Sequence, residues 1–322
     1  MVIKTLVKVF VSWLLLAGNL SAQPVWKNVD SIYGPLPESM HVYYTNDSIE
    51  GKPNIAFFVK AELKDLHLVF DADTAYKRGL TPSQYYSRNG NPLLVVNCTF
   101  FSSERLSLDV VIDDGKMVAF NLPSVYSVSD SLYHYVSRSA LGIDRHRKAD
   151  VAWVITDSLR RKAYEITNGP LVSEGSTFHP VQKRLKQEML TENRDIKRWK
   201  AQTAVGGGPT LISDGTINIT NNQERMFSGK AINDRHPRTA MGYTNDGYLI
   251  ILMVEGRFPG RAEGATLGQE AEILSSLGCI EALNLDGGGS SCMLVNGKET
   301  ITPSDKTGQR PVPAVFIIRQ AE

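Results

Sequence analysis

Short apolar runs that end in an aspartate-glycine or asparagine-glycine pair give the chain its dominant pattern. Both residue types tolerate positive φ, so such pairs suit the tight turn between two antiparallel strands. The sequence therefore predicts four β-hairpins, with turns at Asp114-Gly115, Asp214-Gly215, Asp246-Gly247 and Asn296-Gly297.

Other apolar runs indicate further strands. Residues 248–254 are almost continuously apolar, as expected of a strand that is buried on both faces. Residues 93–96 and 279–285 are also predicted as buried strands, and residues 151–155 and 163–166 as one more hairpin. Strands thus account for most of the predicted structure.

Helix signals are fewer. Thr81-Pro82 supplies a cap and a first-turn proline for a short helix that runs toward Arg88. Thr266 and Gln269 form a capping box for a helix over 266–277, which is followed by a stop at Gly278. Residues 178–200 carry seven Lys or Arg against three acids. They predict a solvated helix or surface loop, with an anion-binding lid as the alternative.

No linker or repeat divides the chain. The pattern predicts an α+β fold, a single domain with a mixed, mostly antiparallel sheet and few helices. Residues 1–22 carry basic residues, a short apolar run and small residues before position 23, so they are interpreted as a signal peptide. We expect an exported protein, periplasmic or secreted after removal of this peptide, with no integral membrane segment in the mature chain. A retained anchor helix is the alternative.

Composition narrows the function classes. The chain is 42% hydrophobic with a formal net charge of +1, which leaves no global field to attract nucleic acid. Three cysteines exclude a disulfide scaffold. One bridge between Cys279 and Cys292 is possible, and buried free thiols are favoured. No zinc-ligand motif occurs, so we predict no metal site of that kind.

The most informative stretch follows the strand that ends near residue 285. A carboxylate, Asp286, precedes three glycines, Gly287, Gly288 and Gly289, and two hydroxyls follow at Ser290 and Ser291. Backbone amides of such a loop can hold an oxyanion, and Asp286 can act as nucleophile or base. A purely conformational turn is the alternative.

Other polar residues lie where predicted strands begin or end. Gly207 and Gly208 precede one strand and could supply further amides, although a tight bend explains them equally well. Asn97 offers a donor and an acceptor to a sugar. The phenylalanines at 100 and 101 favour core packing over stacking on a sugar ring.

A second group lies around the most apolar strand. Arg238, followed by Thr239, can clamp a phosphate with its planar guanidinium, although a surface salt bridge is the alternative. Glu255, which precedes Gly256 and Arg257, stands where a buried strand ends and is a candidate for acid–base chemistry. We do not assign a role to His236.

These blocks, in this order, resemble the phosphodiester glycosidase family, which includes N-acetylglucosamine-1-phosphodiester α-N-acetylglucosaminidase and bacterial members. The matching stretches are 97–101, 207–211, 237–242, 255–257 and 283–291. Two positions depart from the family pattern: Cys98-Thr99 replaces small residues, and Glu255 replaces the common aspartate. The resemblance implies that residues 23–322 form a domain that hydrolyses sugar-1-phosphodiesters.

The resulting hypothesis has two carboxylates, Asp286 and Glu255, as the catalytic pair. The substrate- and phosphate-binding set is Arg238, Thr239, Arg257, Asn97, Gly207, Gly208, Gly287, Gly288, Gly289, Ser290 and Ser291. The partner is a glycosyl phosphodiester or related glycan, and we expect no required cofactor, with a divalent cation possible. Two alternatives stay open: a metal-assisted phosphodiesterase and a non-catalytic envelope glycan-binding protein.

Overall fold

A computed structural model of the protein describes residues 24–171, 175–177 and 196–321. The predicted signal peptide, residues 1–22, lies outside these residues, as do residues 178–195 of the basic segment. None of the helices in the described part of the chain has the length and apolarity needed to cross a bilayer.

Strands dominate the described residues. In chain order they are β1 Lys27–Asn28, β2 Met40–Thr45, β3 Ala56–Glu62, β4 Leu68–Thr74, β5 Leu94–Asn97, β6 Val111–Asp113, β7 Lys116–Ala119, β8 Ser124–Ser127, β9 Leu132–Tyr135, β10 Arg138–Ile143 and β11 Ala149–Asp157. They continue as β12 Lys162–Ile166, β13 Ile196–Trp199, β14 Thr203–Gly206, β15 Thr210–Ser213, β16 Thr216–Ile217, β17 Arg238–Thr244, β18 Tyr248–Val254, β19 Cys279–Asn284, β20 Met293–Val295, β21 Lys298–Glu299 and β22 Ala314–Gln320. The α-helices are α1 Asp30–Tyr33, α2 Pro82–Arg88, α3 Asn221–Glu224 and α4 Leu267–Ser276.

The strands form three large sheets and one small hairpin. The first sheet has the order β1-β2-β3-β18-β17-β19-β15-β16, the second β13-β12-β11-β10-β14-β6-β7 and the third β21-β20-β5-β22-β4, while β8 pairs with β9. Every pairing between these strands is antiparallel. A mostly antiparallel fold with few helices is confirmed. The parallel pairing that a mixed sheet implies is absent from the described strands.

One hydrophobic core joins the three sheets, which explains why no linker separates them. It includes Val59 and Met241 of the first sheet, Leu141 and Val205 of the second and Phe316 of the third. A second cluster packs helix α4 against the opposite face of the first sheet. Burial of such apolar surface contributes about 25 cal/mol per Å² to folding.

The predicted turns and caps are confirmed. At three of the four hairpins both turn residues have positive φ, for example 45° at Asp114 and 68° at Gly115, whereas at the fourth only Gly247 does. The hairpin β11–β12 is also present. Both capping boxes form, with Thr266 and Gln269 bonded reciprocally at α4 and Thr81 with Gln84 at α2. These features depend on neighbouring residues alone, so local sequence specifies them.

The end of the basic segment differs from the prediction. Residues 196–199 form strand β13 instead of a helix or loop, and they pair with β12 at the edge of the second sheet. The Trp199 side chain explains the difference, because it is 6% exposed and its indole N–H donates to the Asp150 carboxylate at 2.7 Å. Packing against the sheet therefore outweighs the polar character of the segment. The three cysteines are buried free thiols, as favoured above.

Candidate active site

The loop that follows β19 of the first sheet is hydrogen-bonded to residues at the end of β5 in the third sheet. The backbone N–H of Asp286 donates to the carbonyl of Cys98 at 2.8 Å. The side-chain amide of Asn97 donates to the carbonyl of Asp286 at 2.5 Å. Two predicted stretches that are far apart in sequence are therefore in direct contact.

The Asp286 carboxylate is half-buried and surrounded by donors. Burial raises the pKa of Asp286 to about 7. The Ser290 hydroxyl, the charge of Arg310, the N–H of Gly287 and the charge of Arg257 act in the opposite direction. Asp286 is therefore a carboxyl group that exchanges its proton near neutral pH, which suits acid–base or nucleophilic work.

Two arginines pack directly on the glycine loop. A side chain at Gly288 would meet the guanidinium of Arg257, with a Cβ only 2.8 Å from its Nη2 atom, and a side chain at Gly289 would overlap the guanidinium of Arg310. A side chain at either position would require the arginine to move, and Gly288 also has a φ of 61°, which favours glycine. The loop thus brings two positive charges next to Asp286.

Arg310 was not predicted from the sequence. Its Nε donates to the Asp305 carboxylate at 2.7 Å, and its Nη1 donates to the Ser290 hydroxyl at 3.3 Å. A bond to Thr307 N–H is the main reason that the pKa of Asp305 falls to about 2. No motif marks Arg310, because it reaches the site only through the folding of the segment between β21 and β22.

Arg238 lies deeper than a phosphate clamp would need to. It is 3% exposed, and its Nε donates to the carbonyl of Ala265 at 2.8 Å. Its Nη2 donates to the carbonyl of Asp234 at 3.2 Å. Burial lowers the pKa of Arg238. The negative charge of Glu270 opposes this effect, and the positive charge of Arg257 adds to it. The alternative of a surface salt bridge is therefore wrong, and the phosphate role stays a prediction.

Thr239, Asn97 and Ser291 form a buried hydrogen-bonded group behind the loop. The Thr239 hydroxyl contacts the Asn97 Oδ1 at 3.1 Å and the Ser291 hydroxyl at 3.2 Å. The backbone N–H of Cys292 also donates to Asn97 Oδ1, at 3.0 Å. In this arrangement the three side chains hold the loop to β5 and β17. Their predicted contact with substrate is untested.

Glu255 is 3% exposed, and both of its carboxylate oxygens have partners. Oε1 accepts from the guanidinium of Arg261, and Oε2 accepts from the backbone N–H of Thr302 at 2.8 Å. The next residue but one, Arg257, is exposed and has a φ of 67°, which turns its side chain toward the glycine loop. Glu255 anchors the strand end from which Arg257 extends, and its predicted acid–base role stays a prediction.

The second glycine cluster packs closely against the same loop. The N–H of Gly207 donates to the carbonyl of Ser139 at 2.8 Å, and the N–H of Gly208 donates to the carbonyl of Asn284 at 2.7 Å. A Cβ at Gly207 would lie 2.6 Å from the Asn284 carbonyl oxygen. These amides are already used inside the protein, as the tight-bend alternative implies.

A second buried aspartate lies near Asp286 and was also missed. Asp109 is 1% exposed, and its Oδ2 accepts from the N–H of Phe100 at 2.8 Å. Burial raises the pKa of Asp109 to about 7, with the charge of Arg138 opposing the rise and that of Asp286 adding to it. Asp286 and Glu255 were predicted because each is an acid at the end of a buried apolar run. Asp109 is also an acid beside such a run, but it stands at the start. Within the described ranges no group of three or more metal-ligating side chains comes together.

Comparison with known proteins identifies the family to which this arrangement belongs. A family model described as phosphodiester glycosidase matches residues 160–319. The chain belongs to the phosphodiester glycosidase family. N-acetylglucosamine-1-phosphodiester alpha-N-acetylglucosaminidase of Mus musculus is 36% identical over 103 residues, or 30% of this chain. The SPbeta prophage-derived protein YomE of Bacillus subtilis is 45% identical over 81 residues, or 25% of this chain.

The similarity to these two proteins is confined to part of their length. It spans 20% of the mouse enzyme and 12% of the Bacillus protein. The fold is shared more widely, since the catalytic domain of the zebrafish enzyme, auto-inhibited by its pro-peptide, superposes with a TM-score of 0.59. That match covers 93% of this chain and 89% of the zebrafish chain at 16% sequence identity.

Proposed function

We propose that the protein hydrolyses sugar-1-phosphodiesters. Water supplies the oxygen that ends on the anomeric carbon, the bond from that carbon to the phosphate oxygen breaks, and the products are the free sugar and a phosphomonoester. The observation that carries the proposal is that the guanidinium groups of Arg257 and Arg310 pack on Gly288 and Gly289, next to Asp286, and that both of their charges act on its carboxylate.

The two arginines supply what a phosphodiester needs. Guanidinium groups are planar, stay charged and present paired N–H donors to phosphate oxygens. The protein has a net charge of only +1, so capture of an anion depends on local charge of this kind. As the anomeric bond breaks, negative charge grows on the departing phosphate, and fixed positive groups stabilise it most at that point.

Asp286 is the proposed nucleophile or base. Its carboxylate either attacks the anomeric carbon or removes a proton from the attacking water. A phosphate leaving group is weakly basic, so it needs little protonation, and electrostatic stabilisation by Arg257 and Arg310 outweighs acid catalysis in this scheme. Glu255 is the second carboxylate of the proposed pair.

The test is to offer the mature protein a panel of sugar-1-phosphodiesters and matched plain glycosides and to identify which bond breaks. We expect free sugar and phosphomonoester from phosphodiesters, and no product with Asp286→Asn. Release of a sugar phosphate instead would show cleavage on the other side of the phosphorus and contradict the proposal. Sugar binding without any turnover would favour the glycan-binding alternative. Loss of activity on chelation, restored by Ca²⁺ or Mg²⁺, would favour the metal-assisted one.

We also propose that the protein is exported. The support is the sequence of residues 1–22, with its basic start, short apolar run and small residues before position 23. N-terminal sequencing of protein from cell fractions tests this. We expect a mature chain that begins near Gln23 in the soluble envelope or secreted fraction, whereas intact Met1 in the membrane fraction would contradict export.

A further inference from the structure

Asp109 and Asp286 are held by one short stretch of chain, although 177 sequence positions separate them in the numbering. The carbonyl of Cys98 accepts the N–H of Asp286 at 2.8 Å. Two residues later, the N–H of Phe100 donates to the Asp109 carboxylate at 2.8 Å. The negative charges of both carboxylates help to raise the pKa of the Cys98 thiol between these two contacts. The segment 98–100 is therefore hydrogen-bonded to both aspartates.

Asp109 is enclosed on its other sides. Gly206, the first of the three glycines at 206–208, packs closely against Asp109. A Cβ at Gly206 would lie 2.8 Å from the Asp109 Cβ. The charged groups that act on Asp109 are Arg138 on β10, Glu224 on α3 and Asp286. Arg138 donates to the backbone carbonyl of Glu224 at 2.6 Å. With 1% of its surface exposed, Asp109 has no route to substrate except through its neighbours.

The Glu224 carboxylate beside this group is fully occupied. Its oxygens accept hydrogen bonds from the Ser139 hydroxyl at 2.7 Å, the Ser139 N–H at 2.8 Å, the Thr210 N–H at 2.9 Å and the Thr220 hydroxyl. Glu224 therefore has a structural role, whereas the Asp109 carboxylate accepts the N–H of Phe100. Asp109 is the buried acid on which the negative charge of Asp286 acts.

We propose that Asp109 is the proton-holding partner of Asp286, so that around neutral pH the two carboxyl groups share one proton and one negative charge. This inference rests on the proposed function and adds a positioning residue to it. The negative charge belongs on Asp286, because Ser290, the Gly287 N–H, Arg310 and Arg257 all stabilise it there. The proton belongs on Asp109, because only Arg138 and the Phe100 N–H stabilise its ionised form, while burial and the negative charges of Asp286 and Glu224 oppose ionisation there. Like charges at close range rarely both ionise.

The arrangement has a consequence for catalysis. Below neutral pH Asp286 gains a proton and can no longer act as nucleophile or base. Above neutral pH Asp109 loses its proton, and the second negative charge repels an anionic phosphodiester. Activity should therefore follow a bell-shaped pH profile whose two limbs belong to the pair.

The first test needs no substrate. Carboxyl-carbon NMR titrations would follow Asp109 in the wild type and in Asp286→Asn, with Asp246→Asn, in an exposed turn at the far end of β17, as the matched control. We expect the midpoint for Asp109 to fall by about one pH unit in Asp286→Asn and to stay unchanged in Asp246→Asn. An Asp109 midpoint that is equal in the wild type and Asp286→Asn, or that lies near the ordinary value of about 3.9, would overturn the proposal.

The second test uses Asp109→Asn, which keeps an oxygen for the Phe100 N–H but cannot lose a proton. We expect the alkaline limb of kcat/KM to disappear while the acid limb stays, with an unchanged melting temperature. An equal loss of activity at every pH would show a merely structural role and overturn the proposal. If the wild type turns over no phosphodiester, the proposed function fails, and the titration alone decides whether the aspartates are paired.

Discussion

The charge of Arg238 acts on the carboxylate of Glu270, although no hydrogen bond joins them. Glu270 is fully buried in helix α4, and neither of its oxygens has a hydrogen-bond partner. Burial raises the pKa of Glu270 to about 8, and the attraction of Arg238 offsets only part of that rise. Helix α4 therefore carries a buried acid that should be neutral through most of the neutral range.

This predicts a specific pH dependence of stability. A carboxyl group with a raised pKa binds its proton more tightly in the folded state. Its contribution is thus complete below the unfolded value of about 4.3 and is lost as the pH rises through about 8. The melting temperature of Glu270→Gln, relative to wild type, should rise by a few degrees between these limits.

The matched control for this prediction is Glu272→Gln, at an exposed position of the same helix. It should show no such trend in melting temperature. A difference between Glu270→Gln and wild type that stays constant with pH would contradict a protonated Glu270 in the folded protein.

The glycine loop offers a steric prediction. Gly289 does not have positive φ, so the obstacle to a side chain there is the Arg310 guanidinium, with the Asp305 carboxylate oxygen at 3.1 Å. Gly289→Ala should displace Arg310 from the Ser290 hydroxyl and lower kcat/KM by about tenfold or more, since misplaced groups lose catalytic power steeply.

Gly268→Ala is the matched control, because the nearest atom to its Cβ would be the Thr266 hydroxyl at 3.8 Å. In the first turn of α4 an alanine should not destabilise the fold, and activity should be unchanged. Wild-type activity in Gly289→Ala would mean that the position of Arg310 is not important for turnover.

Local and long-range features of the fold differ in how well the sequence predicts them. The turn at Asp114-Gly115 and the capping box of Thr266 depend on residues that are neighbours in the chain, so their pattern is sufficient. Arg310 and Asp109 gain their significance only from the tertiary structure, which brings Arg310 to Ser290 and places Asp109 where the charge of Asp286 acts on it. No local pattern marks Arg310, and the position of Asp109 beside an apolar run does not by itself indicate which group it faces.

The same reasoning explains why some of the predicted site residues lie at the candidate site and others do not. Asp286, Arg257 and Gly288 lie together in the candidate site, and Asn97 supports the loop from behind. Sequence order indicated that these blocks belong together but could not show which side of a strand each side chain occupies. Arg238 precedes Thr239 on β17, so the two point to opposite faces of the sheet, and Arg238 lies on the face that helix α4 covers.

The two predicted phosphate-binding arginines can be distinguished by substitution. Arg238→Lys loses the bonds to Ala265 and Asp234, and hydrogen bonds to charged groups contribute about 1.5–3 kcal/mol each. We expect a lower melting temperature together with a loss of activity. Arg257→Lys, at an exposed position, should retain its melting temperature and lose activity chiefly with phosphodiester substrates. Near-normal kcat/KM in either variant would remove that arginine from the site.

The last prediction concerns the two proposed catalytic carboxylates. Asp286→Asn nearly preserves shape but removes the charge, so kcat should fall by about 10³-fold or more if the carboxylate acts in the chemical step. Its affinity for a substrate analogue should change little, and its melting temperature should not fall, because the amide avoids burial of a charge. A joint loss of melting temperature, affinity and rate would instead assign Asp286 to loop architecture.

Glu255→Gln separates the same two roles at the other carboxylate. Glutamine keeps an oxygen for the Thr302 N–H but gives up the ion pair with Arg261. If Glu255 is the acid–base partner, kcat should fall by about 10²-fold or more with a small change in melting temperature. If the carboxylate only braces the strand end that carries Arg257, the melting temperature should fall and kcat should stay within about tenfold of wild type. Measuring both quantities on one preparation of each variant decides between them.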